Sequence, residues 1–323
     1  MNDYIKLIIC LLSSFFLCFV LCKLHIRYLN FVPKDQQEVI EINPTHKFKS
    51  CGGIDFIIST LVVYLLININ NIDNKSFYIL IFTLIYYGLI GLIDDLIKIY
   101  CKDHNGLSGY IRLLLEIIGV FIILNITSIR LVEFISINNS YLYIGGFAFI
   151  YVVLLVLGCI NSVNITDGLD GLVTITYILA ICPFLYISLI QHSFVIASFI
   201  ICILGSLLAY LCFNFNPSKL IMGDVGSISL GAVLAVVSIL LNKEILLLIS
   251  GLIYIVEVLS VIIQVSYFKL TKGKRIFKMA PLHYHFIKKG MNSSNVVLIF
   301  TILGIILSIL ATVIGVILWK FYY

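Results

Sequence analysis

Five aspartates stand where polar loops meet long apolar runs: Asp94 and Asp95 in GLIDDLIKIY, Asp167 and Asp170 in NSVNITDGLDGL, and Asp224 in IMGDVGSISLG. Ionisable groups at such depth are costly and tend to mark function. A single acidic pair there is explained as well by a helix ending in solvent. Three separate loops, each setting Asp beside Gly or Asn, are not. Adjacent carboxylates repel, which favours a divalent cation or raises one pKa enough for that group to serve as a base. Hard oxygen ligands beside a phosphate select Mg2+, which keeps several waters and shares substrate oxygens. Lys98, at i+4 from Asp94, shares its helical face and can pair with Asp94 or with a phosphate; a plain helix-surface ion pair accounts for it equally well.

Asn161, Asn164, Asp167 and Asp170 recur every three residues. On a helical or nearly helical turn they would line one side, and Gly168 and Gly171 would let the backbone approach a ligand. Helix capping accounts for one such residue, not for four. The most basic stretch, Lys269 to Asn292, contains MAPLHYHF, where His283 and His285 flank Tyr284. Anchoring at the inner membrane face accounts for several of its lysines but not for Pro281 and two histidines. A diphosphate-binding loop would use Lys and Arg as electrostatic clamps and His as a hydrogen-bond donor. Paired histidines also suit zinc, but no cysteine is close to them. Glu257 and Gln264 stand seven residues apart, two turns on one face of an apolar run, and an intramembrane Glu must find a partner inside the bundle. A structural interhelical bond and a functional role fit Glu257 equally.

The elements that hold these residues are membrane helices. Of 323 residues, 61% are hydrophobic and 11% charged, against roughly 45–50% apolar and about 25% charged in a soluble domain. Ten apolar runs are long enough to cross about 30 Å of hydrocarbon: about 4–22, 54–72, 77–93, 111–128, 143–160, 171–190, 193–212, 226–241, 245–267 and 296–319. The expected fold is an all-α polytopic membrane protein forming one domain over residues 1–323. The first run lacks a basic start and a small-residue cleavage site, so it reads as a retained helix. Residues 126–146 alternate apolar and polar around Asn138–Asn139–Ser140, which suggests a small β-hairpin on the outer surface.

Sixteen of the 21 Lys and Arg fall in one set of loops; only Lys6, Lys75, Arg130, Lys243 and Lys320 fall in the other. The positive-inside rule puts the first set, and with it the aspartates, in the cytoplasm. Ten spans then leave both termini outside. The nine cysteines include no C-x-x-C pair and read as small apolar residues. The net charge of +5 favours anionic lipid headgroups and anionic substrates, and nothing points to nucleic acid. A cation-coupled transporter would carry its acids near mid-membrane and show a repeat between halves; here the acids gather at one face and no repeat is evident.

GLIDDLIK, NSVNITDGLDGL and IMGDVGSISLG resemble the polyprenyl-phosphate N-acetylhexosamine-1-phosphate transferase superfamily. VEVLSVIIQVSYFKLTKGKRIFKMAPLHYHF, above all its KRIFKMAPLHYHF end, resembles the phospho-N-acetylmuramoyl-pentapeptide transferase branch. The likeness runs from about residue 85 to the C-terminus. It implies a Mg2+-dependent enzyme of a bacterial plasma membrane that takes UDP-N-acetylmuramoyl-pentapeptide and undecaprenyl phosphate to lipid I and UMP for peptidoglycan, on the cytoplasmic face and as a homodimer. By the same resemblance Asp224 holds the metal. Asp94 and Asp95 include the group that deprotonates the lipid phosphate or attacks the diphosphate. Asn161, Asn164, Asp167 and Asn214 line the nucleotide site, and His283 meets the diphosphate or the sugar. Lys98, Asp170, Gln264 and His285 are added to the substrate-binding set. The sequence departs from the family in three places. THKFKSCGG replaces a segment ending in GTPTMGG, His283–Tyr284–His285 replaces three histidines, and Arg112 stands where a lysine is expected. A sister enzyme that transfers N-acetylglucosamine-1-phosphate to the same lipid is the nearest alternative.

Overall fold

A computed structural model describes residues 3–29, 49–71, 73–100, 106–127, 134–137, 140–143 and 147–320. Thr45, Lys47, Cys101 and the Asn138–Asn139 turn lie outside the described residues.

Twelve α-helices account for nearly all of the described chain: α1 Asp3–Tyr28, α2 Gly53–Ile67, α3 Lys75–Tyr100, α4 Gly109–Thr127, α5 Ala148–Thr166, α6 Leu172–Ile190, α7 Phe194–Asn214, α8 Gly223–Leu240, α9 Glu244–Ser250, α10 Leu252–Leu270, α11 Leu282–Lys288 and α12 Ser293–Lys320. Nine of them are long and apolar enough to cross a membrane, and α2 is a shorter apolar helix. Lipid supplies no partners for backbone N–H and C=O groups, so a chain this apolar satisfies them within helices. The polytopic all-α expectation therefore holds, with two changes. At 15 residues, α2 is about 22 Å long, less than a bilayer core. The expected ninth span breaks at Gly251, which separates the seven-residue α9 from α10.

Between α4 and α5, Phe134–Ile137 pairs antiparallel with Ser140–Tyr143, Phe134 opposite Tyr143. This is the expected hairpin.

The centre of the bundle is α8, buried from Val225 through Ile239, with α3 and α5 packed along it and α1 packed along α7. The crossing of α3 and α8 is close. A Cβ on Gly91 would lie 2.2 Å from the Asp224 carbonyl oxygen, so only glycine fits there. Small hydroxyls join helices elsewhere: Ser59 and Thr60 of α2 donate to the Ser206 hydroxyl of α7 at 2.8 and 3.1 Å. Such polar contacts tie helices together in lipid, where apolar contact alone does not drive association.

Candidate active site

The end of α3 carries Asp94, Asp95 and Lys98, and the first turn of α8 carries Asp224. Gly223, at φ +74°, turns the chain into α8 in a conformation only glycine adopts without strain. The free N–H groups of that first turn need acceptors. Both Asp95 oxygens supply them, accepting the Asp224 and Val225 amides at 3.1 and 3.0 Å. Asp95 thus caps α8 and fixes the residue beside it.

One oxygen from each of Asp94, Asp95 and Asp224 lies within 4.8 Å of the others, a spacing fit for a metal ion. All three donors are carboxylate oxygens, the hard set that suits Mg2+ rather than a soft metal. Lys98 donates to Asp224 Oδ2 at 2.8 Å and pairs with Asp94 across one helical turn. Arg112 of α4 brings Nη1 to 3.6 Å from the same Asp224 oxygen while its Nε donates to Glu116 at 3.0 Å. Asp94 accepts the Leu107 amide at 2.7 Å. Three carboxylates and two cations therefore stand in one contact network, and Asp94 and Asp95 are buried.

Asn164, near the end of α5, donates to Asp224 Oδ1 at 2.8 Å and to the Ser227 hydroxyl at 2.9 Å. The four-residue row expected from Asn161 to Asp170 is split, because α5 ends at Thr166 and Asp167 is its cap residue. Asn161 turns back onto the Leu157 carbonyl at 2.8 Å. Asp167 sits in the turn beyond the helix. Burial, and then the negative charges of Asp224, Asp95 and Asp170, push its carboxyl up to about 8. Asp170 accepts the Ser218 hydroxyl at 2.7 Å and the Ser218 amide at 3.0 Å, tying this turn to the loop before α8. Asn214 joins the same elements: it accepts from Gly171 N–H and the Thr174 hydroxyl and donates to the Leu220 carbonyl at 3.0 Å.

On the other side, α11 lays His283 against α10. Glu257 Oε2 lies 3.2 Å from His283 Nδ1, and Oε1 accepts the His283 amide at 3.2 Å. Both side chains are fully buried, and His283 Nε2 has no hydrogen-bond partner among the described residues. That nitrogen faces the Gly168 turn, where a Cβ on Gly168 would meet it at 2.3 Å. Tyr284 donates its hydroxyl to the Gly168 carbonyl at 3.0 Å. Gln264 accepts the Ile276 and Phe277 amides at 3.2 and 2.9 Å and so holds the returning loop. Glu257 and Gln264, expected on one face, both serve that loop. His285 accepts the Lys278 amide at Nδ1, 3.0 Å. Burial, followed by the charges of Lys289 and Lys278, lowers its pKa.

The structure therefore brings Asp94, Asp95, Lys98, Asn164 and Asp224 into one contact network, with Asp167 and His283 along its rim. Asn214, Asp170 and Gln264 support the loops around it. Two partners escaped the sequence: the pairing of Arg112 with Asp224, and that of Glu257 with His283. The i,i+4 spacing of Arg112 and Glu116 was a usable signal for the first. The second joins residues 26 apart across a loop.

An acid cluster with two cations and an amide thus stands where membrane helices end, with carboxylate oxygens spaced for a metal ion. Glycosyl transferase family 4 matches residues 77–242, which contain the network from Asp94 to Asp224. The phospho-N-acetylmuramoyl-pentapeptide-transferase of Rickettsia massiliae (strain Mtu5) is 36% identical over 320 residues, covering 91% of this chain and 88% of the relative. Its namesake in Limosilactobacillus reuteri (strain DSM 20016) is 34% identical over 319 residues, covering 96% and 97%. That of Streptococcus pneumoniae (strain CGSP14) is 36% identical over 276 residues, covering 83% and 84%. The chain belongs to the phospho-N-acetylmuramoyl-pentapeptide-transferase family, a membrane branch of glycosyl transferase family 4.

Proposed function

We propose that this enzyme transfers phospho-N-acetylmuramoyl-pentapeptide from its UDP carrier to undecaprenyl phosphate on the cytoplasmic face of a bacterial plasma membrane. The observation that carries the chemistry is the Asp94–Asp95–Asp224 cluster met by Lys98, Arg112 and Asn164. A phosphate oxygen of the lipid attacks the sugar-bearing phosphorus of the nucleotide diphosphate. One P–O bond forms, the P–O bond to UMP breaks, and UMP leaves with the negative charge.

The three carboxylates would hold Mg2+, which when bound neutralises diphosphate charge and draws it from the leaving oxygen. Asp224 is the first ligand in this reading. Asp94 is a candidate base, because its second oxygen faces Lys98 rather than backbone. Asp95 gives both oxygens to the α8 amides and acts chiefly by holding Asp224. Lys98 and Arg112 lie where a diphosphate would shed charge, and Arg112 adds the fork geometry that a lysine lacks. Asn164 and Asp167 line the nucleotide side of the site, with Asp170, Asn214, Gln264 and His285 supporting it; Asn161, turned back onto Leu157, stands outside it. His283, with Nδ1 on Glu257, offers Nε2 as an acceptor for a hydroxyl of the sugar.

An apolar cavity of about 160 Å3 between α5, α8, α9 and α10 supports a prenyl route. It is lined by Leu154, Leu155, Val163, Leu234, Leu248 and Tyr254, and includes Ser162. Cytoplasmic placement rests on the basic loops that share the aspartates' side of the helices.

The test is UMP release by detergent-purified enzyme with undecaprenyl phosphate and either UDP-N-acetylmuramoyl-pentapeptide or UDP-N-acetylglucosamine. Turnover of the muramoyl donor alone is expected. Turnover of the glucosamine donor alone would replace this reading with that of the sister enzyme.

A further inference from the structure

Among the acids, Asp55 has no role in the network above, yet it is buried at the start of α2. Its partner is His25, near the end of α1 and also buried. His25 Nδ1 lies 3.1 Å from Asp55 Oδ1 and 3.0 Å from Oδ2. On the other side of the ring, Nε2 lies 3.1 Å from the Ser50 carbonyl oxygen. A carbonyl has no proton to give, so Nε2 must carry one and donate it. The contact between Nδ1 and the carboxyl then needs a second proton, held on either partner. Both ring nitrogens are committed, and His25 is a two-ended brace between α2 and the backbone at Ser50.

Ser50 belongs to a short stretch that runs beside the loop leading into α8. Lys49 accepts the Ile221 amide at 2.7 Å, and its own amide donates to the Lys219 carbonyl at 3.1 Å. The Gly52 amide donates to the Ile221 carbonyl at 2.8 Å, and the Gly53 amide to the Met222 carbonyl at 2.9 Å. Lys49 and Leu220 thus form a parallel bridge. The residues immediately after Met222 are Gly223 and Asp224. Cys51 sits within the stretch, buried and at φ +63°, a conformation an ordinary side chain adopts only when its surroundings hold it there. Four backbone hydrogen bonds therefore link the segment braced by His25 to the turn that presents Asp224.

We propose that His25 and Asp55 are positioning residues for Asp224: they brace residues 49–53, and those residues, together with Asp95, set the Gly223–Asp224 turn. Neither touches substrate. The inference rests on the reading of Asp224 as a metal ligand, and its test separates the two. Removing a partner that orients a metal-binding side chain without itself touching the metal typically costs about 10–100-fold in metal affinity.

The experiment measures Mn2+ affinity by electron paramagnetic resonance on the full-length enzyme in detergent, alongside thermal stability and the metal concentration giving half-maximal UMP release. His25→Ala and Asp55→Ala are expected to weaken Mn2+ about tenfold and to raise the half-saturating metal concentration by a similar factor. Asp55→Asn is the conservative variant, because an amide N–H can donate to Nδ1 while Nε2–H still reaches Ser50. It is expected to stay within about twofold of wild type. Ser206→Ala removes buried hydrogen bonds to Ser59 and Thr60 away from the site; it should lower thermal stability and leave Mn2+ affinity unchanged. Asp224→Asn should abolish high-affinity Mn2+ binding, leaving the sharp signal of free Mn2+ at full strength. Loss of thermal stability in His25→Ala with wild-type Mn2+ affinity would overturn the positioning role, and so would an Asp55→Asn variant as weak as Asp55→Ala. Unchanged Mn2+ binding in Asp224→Asn would overturn both this proposal and the metal reading beneath it.

Discussion

Glu257 Oε2 lies 3.2 Å from His283 Nδ1, and the opposite ring nitrogen, Nε2, is buried with no hydrogen-bond partner among the described residues. A carboxylate on Nδ1 holds the proton there, which leaves Nε2 as an acceptor and fixes the ring plane. This is the logic by which a buried acid sets a histidine's tautomer in other enzymes.

Glu257→Gln is expected to lower kcat by about 10–100-fold with a much smaller change in donor KM. An amide N–H can donate to Nδ1 and so shift the ring proton to Nε2. His283→Ala should cost at least about 100-fold. Steady-state UMP release reads both, and a wild-type kcat in Glu257→Gln would remove the orienting role.

Asp94→Asn, Asp95→Asn and Asp224→Asn should each reduce turnover by at least about 100-fold, but they should differ in stability. Asp95 alone caps the α8 first turn through two amides; an asparagine keeps one acceptor oxygen and sets an NH2 against the other amide, which leaves that buried donor unsatisfied at about 1–3 kcal/mol. Thermal unfolding in detergent is expected to show a lower midpoint for Asp95→Asn than for Asp94→Asn. Chelation by EDTA should abolish turnover in the wild type, and added Mg2+ should restore it.

Gly91→Ala places a methyl 2.2 Å from the Asp224 carbonyl oxygen and 2.4 Å from its carbonyl carbon. Backbone on the central helix cannot yield cheaply, so the helices must separate. Overpacking of this kind costs about 1–3 kcal/mol, and the displaced residue is Asp224 itself. We expect a lower unfolding midpoint together with a loss of Mn2+ affinity. A stable variant with normal Mn2+ binding would show that the α3–α8 contact is looser than described.

Asp167 makes stability depend on pH. Its carboxyl is pushed up to about 8 in the folded enzyme, by burial first and then by Asp224, Asp95 and Asp170, against about 3.9 in an unfolded chain. Between these values the unfolded chain has released the proton and the folded one has not, so raising pH favours unfolding. The contribution is fully present below about pH 4 and is lost as pH rises through about 8. Asp167→Asn, which never ionises, should gain stability relative to wild type as pH goes from 5 to 8.5. Paired unfolding curves at those two values would show it; a constant difference would contradict it.

Much of this enzyme is legible in its residues because lipid imposes a simple rule. A chain that is 61% hydrophobic must close its backbone hydrogen bonds within helices, so an all-helical membrane bundle with its aspartates gathered at one end follows from composition and charge, whereas the shortness of α2 and the break at Gly251 do not. The hairpin after α4 also follows from its alternating pattern. Asp94, Asp95 and Asp224 stand out because carboxylates are costly at membrane depth, whatever their partners. Other features depend on distances between segments remote in sequence. The every-third-residue row from Asn161 to Asp170 does not survive as one helical face, because α5 ends at Thr166 and only Asn164 turns toward Asp224. The break at Gly251 and the return of α11 decide that Glu257 meets His283 rather than another span. Asp55 finds His25 only because α1 and α2 pack side by side, and Asp95 becomes a cap only because the α8 first turn lands on it. The membrane determined from sequence alone which elements form and which end holds the acids. Tertiary packing decided which carboxylate faces a ligand, which one caps a helix and which one braces a loop, since a carboxylate's role depends on the donors brought within about 3 Å of it.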